Sequence, residues 1–181
     1  MKMFFISDIH GSAYFLEKAL ERYEIEKADM IFILGDILYH GPRNDLPKGY
    51  APKKVIPMLN ELKDRITVVQ GNCDGYVDGM VLEFPIDAPY SQIIMENGKR
   101  LFLTHGHIYN EDNLPALPDG TAFIYGHTHI YRAEKKNGIT FINPGSISIP
   151  KGGNPATYGI LEDGVFTVKD LEGNEMISVE I

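Results

Sequence analysis

Residues 3–12 read MFFISDIHGS. A short apolar run ends in a polar turn, and a serine follows. A run this short between polar residues predicts a buried strand over 3–7. Ser12 offers a hydroxyl that can accept a free N–H at a helix start. Downstream of it, SAYFLEKALERY (12–23) places Ala13, Leu16, Ala19, Leu20 and Tyr23 on one helical stripe. The unit is therefore strand, polar loop, helix, and it recurs. MIFIL (30–34) is a second strand, and ITVVQ (66–70) is a third. Between them a helix is expected over 52–63, with Pro52 in its first turn and Val55, Ile56, Leu59 and Leu62 facing inward; Pro57 weakens its early part. Strands that alternate with helices pair in parallel.

The second half has a different grammar. Asn97-Gly98, Asn137-Gly138 and Asp163-Gly164 each lie between strand-like runs and predict tight hairpins, so this half reads as largely antiparallel. No repeat, low-complexity tract or linker interrupts the chain, which is expected to form a single domain over residues 1–181. The fold class is α/β, with two sheet layers packed face to face and helices outside.

Composition narrows the functions. A net charge of −8 argues against a basic nucleic-acid groove or an anionic membrane surface as partner. One cysteine excludes an internal disulfide and fits a reducing compartment. The first apolar run is too short for a secretion signal or a membrane span, so a cytoplasmic protein is expected.

Polar motifs stand where strands end: SDIHG after the first, LGD after the second, QGNCD after the third, then THGH after RLFL and YGHTH after TAFI. In α/β sheets the carboxyl ends of the strands bind ligands, so these residues are expected to converge although they run from position 8 to position 129. They supply Asp8, His10, Asp36, Asn72, His105, His127 and His129. On an extended segment residues i and i+2 point the same way, so Asp8 with His10, and His127 with His129, are each expected to approach one centre from one side. Oxygen and imidazole donors without thiolate suit Mn²⁺, Fe or Zn²⁺. Seven donors exceed what one tetrahedral ion needs. Two divalent metal ions roughly 3.5 to 4 Å apart, bridged by a carboxylate, would use them all. Any one of these histidines alone is more simply a packed or hydrogen-bonded residue, and Asp after Gly a turn residue; the weight lies on all five motifs occurring in order.

The succession DIH, GD, GNCD, HGH, GHTH resembles the calcineurin-like metallophosphoesterases. ILGDILYHGPRNDLPKGYAP, GNCDGYVD, LFLTHGH, YGHTH and NPGSISIPKGGNPATYG are similar to their small bacterial YfcE-type phosphodiesterase branch over nearly the whole chain. The resemblance implies a four-layer α/β/β/α sandwich with mixed sheets. It also implies a ligand assignment: Asp8, His10 and His129 for one ion, Asn72, His105 and His127 for the other, and Asp36 between them. Manganese, a bridging hydroxide as nucleophile, a small phosphodiester substrate and a homodimer or homotetramer are further implications.

In many members of this family the third motif carries a histidine where this chain has Cys73. A thiol, with an ordinary pKa of about 8.5, is a poorer general acid than an imidazolium, although beside two cations it can ionise. Esters whose leaving groups need little protonation are therefore the expected substrates; the bland alternative is that Cys73 only packs. Arg43, in the polar loop 39–52, is expected to grip phosphate oxygens unless it is a solvated surface residue. His40, in the same loop, has no assigned role. His107 is expected to orient His105 or to touch substrate. The segment 143–159 either lines the pocket or serves turns. The competing functions are a phosphomonoesterase or nuclease on the same metal site, and a non-catalytic scaffold. Retention of all seven candidate ligands favours the enzyme.

Overall fold

A computed structural model describes residues 1–181. The opening strand β1 (Met3–Ile6) leads through the DIHG turn to α1 (Ala13–Glu26), capped by Ser12, whose hydroxyl accepts from Phe15 N–H. β2 (Met30–Ile33), α2 (Pro52–Asn60) and β3 (Ile66–Val68) follow. The second helix is shorter than the periodicity predicts. It ends at Asn60, and a separate short turn at Lys63–Arg65 leads into β3.

The later strands are β4 (Tyr90–Ile94), β5 (Arg100–Thr104), β6 (Ala122–Ile124), β7 (Arg132–Lys136), β8 (Ile139–Asn143), β9 (Thr157–Glu162), β10 (Val165–Asp170) and β11 (Glu175–Glu180). One sheet has the order β11-β10-β9-β1-β2-β3 and the other β4-β5-β6-β8-β7. The three hairpins form as expected. At Asn137-Gly138 and Asp163-Gly164 both central residues have positive φ, the turn whose twist matches the flanking strands. The expectation of a largely antiparallel second half holds for the hairpins but misses the centre of the second sheet, where β5, β6 and β8 pair in parallel.

Alternation along β1 separates the layers. Phe4 and Ile6 face Leu16, Ala19 and Tyr23 of α1 and Val55 and Leu59 of α2. Met3 and Phe5 face the other way, into a core between the sheets shared with Phe32, Leu103, Ile124 and Ile142. Each fully buried apolar side chain there contributes roughly 1.5–3 kcal/mol. The outer face of the second sheet packs Phe102, Phe123 and Phe141 against Tyr109 and Leu117 of the 105–121 segment. That segment forms no helix, so the fourth layer of this α/β/β/α sandwich is irregular chain.

Candidate metal centre

Each candidate ligand leaves the carboxyl end of a parallel strand: Asp8 and His10 after β1, Asp36 after β2, Asn72 after β3, His105 after β5, and His127 and His129 after β6. The antiparallel edge strands contribute none, because their connections are two- or few-residue hairpins with no room for a reaching loop.

The backbone at these positions is not extended. Asp8, His10, Asp36, His127 and His129 have φ of 55°, 47°, 56°, 67° and 60°. Asp8 and His10 still meet in one group, but the pairing of His127 with His129 is corrected. Left-handed residues turn the chain sharply, so His127 and His129 diverge: His127 Nδ1 lies 3.2 Å from His105 Nε2, while His129 Nε2 lies 3.2 Å from Asp8 Oδ1. Each such residue costs of order 1 kcal/mol or more unless its surroundings impose it. Here they do. Asp8 O accepts from the Ser146 and Ser148 hydroxyls at 2.9 and 2.8 Å, and Asp8 Oδ2 accepts from Ser7 Oγ at 2.7 Å and His127 N at 3.0 Å. Asn143 Nδ2 donates to Gly126 O at 2.8 Å and Thr128 Oγ1 at 3.1 Å, holding the loop that carries His127 and His129. Gly71 and Gly126 allow the loops to meet. A Cβ at Gly71 would overlap Asp36, and one at Gly126 would overlap Ser7.

Two groups of donors result. Asp8, His10 and His129 are one, with His10 Nε2 3.4 Å from His129 Nε2 and 3.7 Å from Asp8 Oδ1. The other is Asn72, His105 and His127, with His105 Nε2 3.1 Å from Asn72 Oδ1. Asp36 Oδ2 stands between, 3.6 Å from His10 Nε2 and 3.4 Å from His105 Nε2.

The hydrogen bonding tests whether cations fit. His10, His105 and His129 each place Nδ1 against a carbonyl, of Tyr39 at 2.8 Å, Leu34 at 2.6 Å and Ile149 at 2.6 Å. A neutral ring has one N–H, and these carbonyls claim it, so each Nε2 presents a lone pair to the centre. With the rings neutral, the Nε2 lone pairs of His10 and His129 face one another and that of His105 faces the Asn72 carbonyl oxygen, an arrangement that a proton or a cation relieves. Asp8 Oδ1 is buried without a hydrogen-bond partner. Converging acceptors without donors are what a divalent cation satisfies, and the donor set of carboxylate, amide oxygen and imidazole suits it.

Without cations, protons and carboxylates balance each other. Burial pushes the Asp8 carboxyl up, but His10 and His129 hold it well below the usual range. Burial likewise raises Asp36, and the His105 contact outweighs it and leaves the carboxyl low. Burial disfavours charge on His105, yet Asp36 and Asp8 take its pKa up to about 9. Cys73 is pushed up to about 12 by burial and by the Asp36 charge.

The centre opens into a polar pocket of about 340 Å³ whose lining includes Asp36, Asn72, His127 and His129, with Arg43, Cys73 and Lys151 around them. Arg43 and Lys151 are both exposed, the latter from the 143–159 segment. Cys73 Sγ accepts from Asn72 Nδ2 at 3.3 Å, and Cys73 N donates to Asp36 Oδ1 at 2.8 Å. His107 does not line this pocket; its ring is half-buried, 5.3 Å from that of His105. His40 packs edge-on against Tyr39 and Tyr50. Lys151, Asn143, Ser146 and Ser148 were not singled out by sequence reasoning. All four lie in the 143–159 segment offered as pocket lining; for Asn143, Ser146 and Ser148 the signal is a polar NPGSIS run at the end of a strand, the same grammar as the five ligand motifs, and Lys151 follows that run.

The sequence model of the calcineurin-like phosphoesterase superfamily domain matches residues 1–163. Phosphodiesterase YfcE of Escherichia coli strain K12 is 51% identical over 178 residues, covering 98% of this chain and 96% of that protein. The probable metallophosphoesterase YsnB of Bacillus subtilis is 28% identical over 191 residues, covering 97% of this chain and 95% of that protein. The solved structure of the E. coli YfcE phosphoesterase superposes with a TM-score of 0.97 at 50% identity over the whole of both chains. Vps29 of Entamoeba histolytica, at 22% identity and a TM-score of 0.66, covering 99% or more of both chains, shares the fold alone. With the family domain spanning nine-tenths of the sequence and half the residues identical to one member, the chain belongs to the calcineurin-like phosphoesterase superfamily.

Proposed function

We propose that this protein hydrolyses small phosphate diesters at a dinuclear centre held by Asp8, His10 and His129 on one side and Asn72, His105 and His127 on the other, with Asp36 shared. It is a metal-dependent phosphodiesterase, the class of its family and of its 51% identical relative. The observation that carries the dinuclear reading is the overlap of candidate cation-binding groups, Asp8 with His10 and His129 and Asp8 with Asp36 and His105, around Asp36 and an Asp8 Oδ1 that has no hydrogen-bond partner. Bound divalent cations supply Lewis acidity toward phosphoryl oxygens and activate water at neutral pH. Manganese is the metal we assign, supported by a donor set free of thiolate.

The chain's own residues supply the rest. Carbonyl acceptors on three Nδ1 atoms fix the imidazole tautomers before substrate arrives, so no reorganisation is needed in the reaction. Arg43 and Lys151 bring positive charge to a pocket floored by carboxylate and imidazole, and they meet the non-bridging phosphoryl oxygens. Cys73 stands at the wall of the pocket that takes the phosphoryl group. A thiol is a poorer proton donor than the imidazole many family members carry at this position, which supports esters of acidic alcohols as substrates. The net charge of −8 supports small diesters over nucleic acid, and the single cysteine supports the cytoplasm as compartment.

The deciding assay strips the protein with chelator and restores Mn²⁺, Mg²⁺ or Zn²⁺ with a diester and a monoester, using Asp36→Asn as control. Manganese-dependent diester cleavage that vanishes in the variant is expected. Hydrolysis of the monoester alone assigns a phosphomonoesterase, and no hydrolysis with any metal assigns a scaffold.

A further inference from the structure

We propose that the apolar groove on the far side of Cys73 is a subsite for one organic substituent of the diester, selecting aryl and bulky alkyl groups over methyl; the proposal rests on the phosphodiesterase reading above. The groove measures about 520 Å³, and Tyr39, Tyr50, Ile56, Val77 and Val81 are among its walls. Cys73 lines both this groove and the polar pocket, so the two cavities adjoin, with its side chain as the wall between them.

A diester carries two organic groups on one phosphorus. The polar pocket offers almost no apolar wall, so it accommodates the phosphoryl oxygens and not a hydrocarbon substituent. With those oxygens held beside Asn72 and Arg43, a substituent directed past Cys73 enters the groove. Apolar surface there stands open to receive it: Tyr39, Val77 and Val81 are 42%, 66% and 43% exposed. The wall is also indexed to the reacting centre, because His10 Nδ1 donates to the Tyr39 carbonyl at 2.8 Å. A ligand imidazole on the loop after β1 is therefore tied to a groove residue on the loop after β2. The ionised groups on the lining are Lys53 and Asp78, and the Asp78 carboxylate already accepts from Gly75 N–H. Seven of the eleven lining residues are apolar and Lys53 is the single cation, so the groove fits an uncharged organic substituent better than a second phosphate.

The test holds the leaving group constant. Manganese-loaded protein is assayed on p-nitrophenyl methyl phosphate and p-nitrophenyl phenyl phosphate, each normalised to its uncatalysed rate. The phenyl ester is expected to show kcat/KM about tenfold or more above the methyl ester, the scale on which an apolar pocket discriminates. Val77→Ser combined with Val81→Ser changes exposed side chains only. It is expected to raise KM for the phenyl ester at least about fivefold and to leave the methyl ester unchanged. Calorimetric titration with phenylphosphonate and methylphosphonate gives a second readout, in which the wild type prefers the phenyl compound and the double variant does not. Equal normalised kcat/KM in the wild type, or equal slowing of both esters in the variant, overturns the proposal. A smaller assembly in sedimentation with discrimination unchanged assigns the groove to a second copy of the chain and also overturns it. Failure of both esters to react removes the phosphodiesterase reading and this one with it.

Discussion

The backbone N–H of Asp36 donates to the Asp74 carboxylate at 2.9 Å, so the residue shared between the two donor groups is held from a separate loop. The same carboxylate accepts from Ile37 N at 2.8 Å and Gly71 N at 2.7 Å. One buried side chain thus joins the turns after β2 and β3. Asp74→Ala strands these buried donors and is expected to cost about 2–4 kcal/mol of stability. Manganese affinity is expected to fall about tenfold or more, since the shared carboxylate loses its support. Calorimetric melting and metal titration of the variant check both numbers; Asp74→Asn, which keeps one acceptor oxygen, should fall between.

The centre gathers buried carboxylate and imidazole groups that a bound cation would join. A cation bound only by the native state stabilises it by about 2.7 kcal/mol at a hundredfold excess over Kd. For a chain of this size that corresponds to a rise in Tm of roughly 5–10 °C. Differential scanning calorimetry with chelator and with excess Mn²⁺ measures it, and Asp36→Asn should abolish most of the difference.

The strands, α1 and the ligand list were legible because each is a local pattern: an apolar run, a 3.6-residue stripe, a motif at a strand end. What failed depended on partners distant in sequence. Nothing in RLFL or TAFI states that β5 and β6 pair in parallel, since both are short apolar runs between turns. Nor could Asp8 or His127 be read as left-handed, because Asp and His adopt that backbone only where surrounding bonds impose it. Ser146 and Ser148 supply those bonds from more than 130 positions away. Pro57 and the irregular cover over Phe123 show the converse, local signals too weak to set an element's extent without the packing around it.

Acid stability should show the burial of Glu26. Burial raises this carboxyl, but Lys169 Nζ and the Tyr158 hydroxyl, each at 2.9 Å, and then Lys2, hold its pKa down to about 2. A depressed carboxylate stabilises the fold fully above its ordinary value near 4.5 and loses that contribution as pH falls through 2. Part of the contact is solvent-screened, so about 2 kcal/mol is expected. Urea denaturation of chelated protein, followed by circular dichroism, should show wild type losing stability between pH 5 and pH 2 more steeply than Glu26→Gln by that amount.

Arg43 makes no ion pair within the chain and lines the polar pocket, so its charge is available to substrate. Arg43→Ala is expected to raise KM for a diester about tenfold, with melting temperature unchanged because the side chain is exposed. Arg43→Lys should restore part of the loss, since a point charge replaces a two-pronged grip. A KM and turnover both equal to wild type would leave Arg43 as surface.

Cys73 decides which esters react. Its thiol is confined between Asn72 Nδ2 and the Gly41 backbone, and burial with the Asp36 charge pushes its pKa up to about 12. A thiol is a poorer proton donor than an imidazolium near neutrality, so the departing oxygen is expected to leave largely unprotonated. The rate of the wild type should then fall steeply as the alcohol becomes less acidic. An imidazole at this position can donate a proton, so Cys73→His should flatten that dependence and raise turnover of unactivated alkyl esters most, by about tenfold or more. Plotting log kcat/KM against leaving-group pKa for both proteins gives two slopes. If they coincide, Cys73 is only a packed residue at the pocket wall.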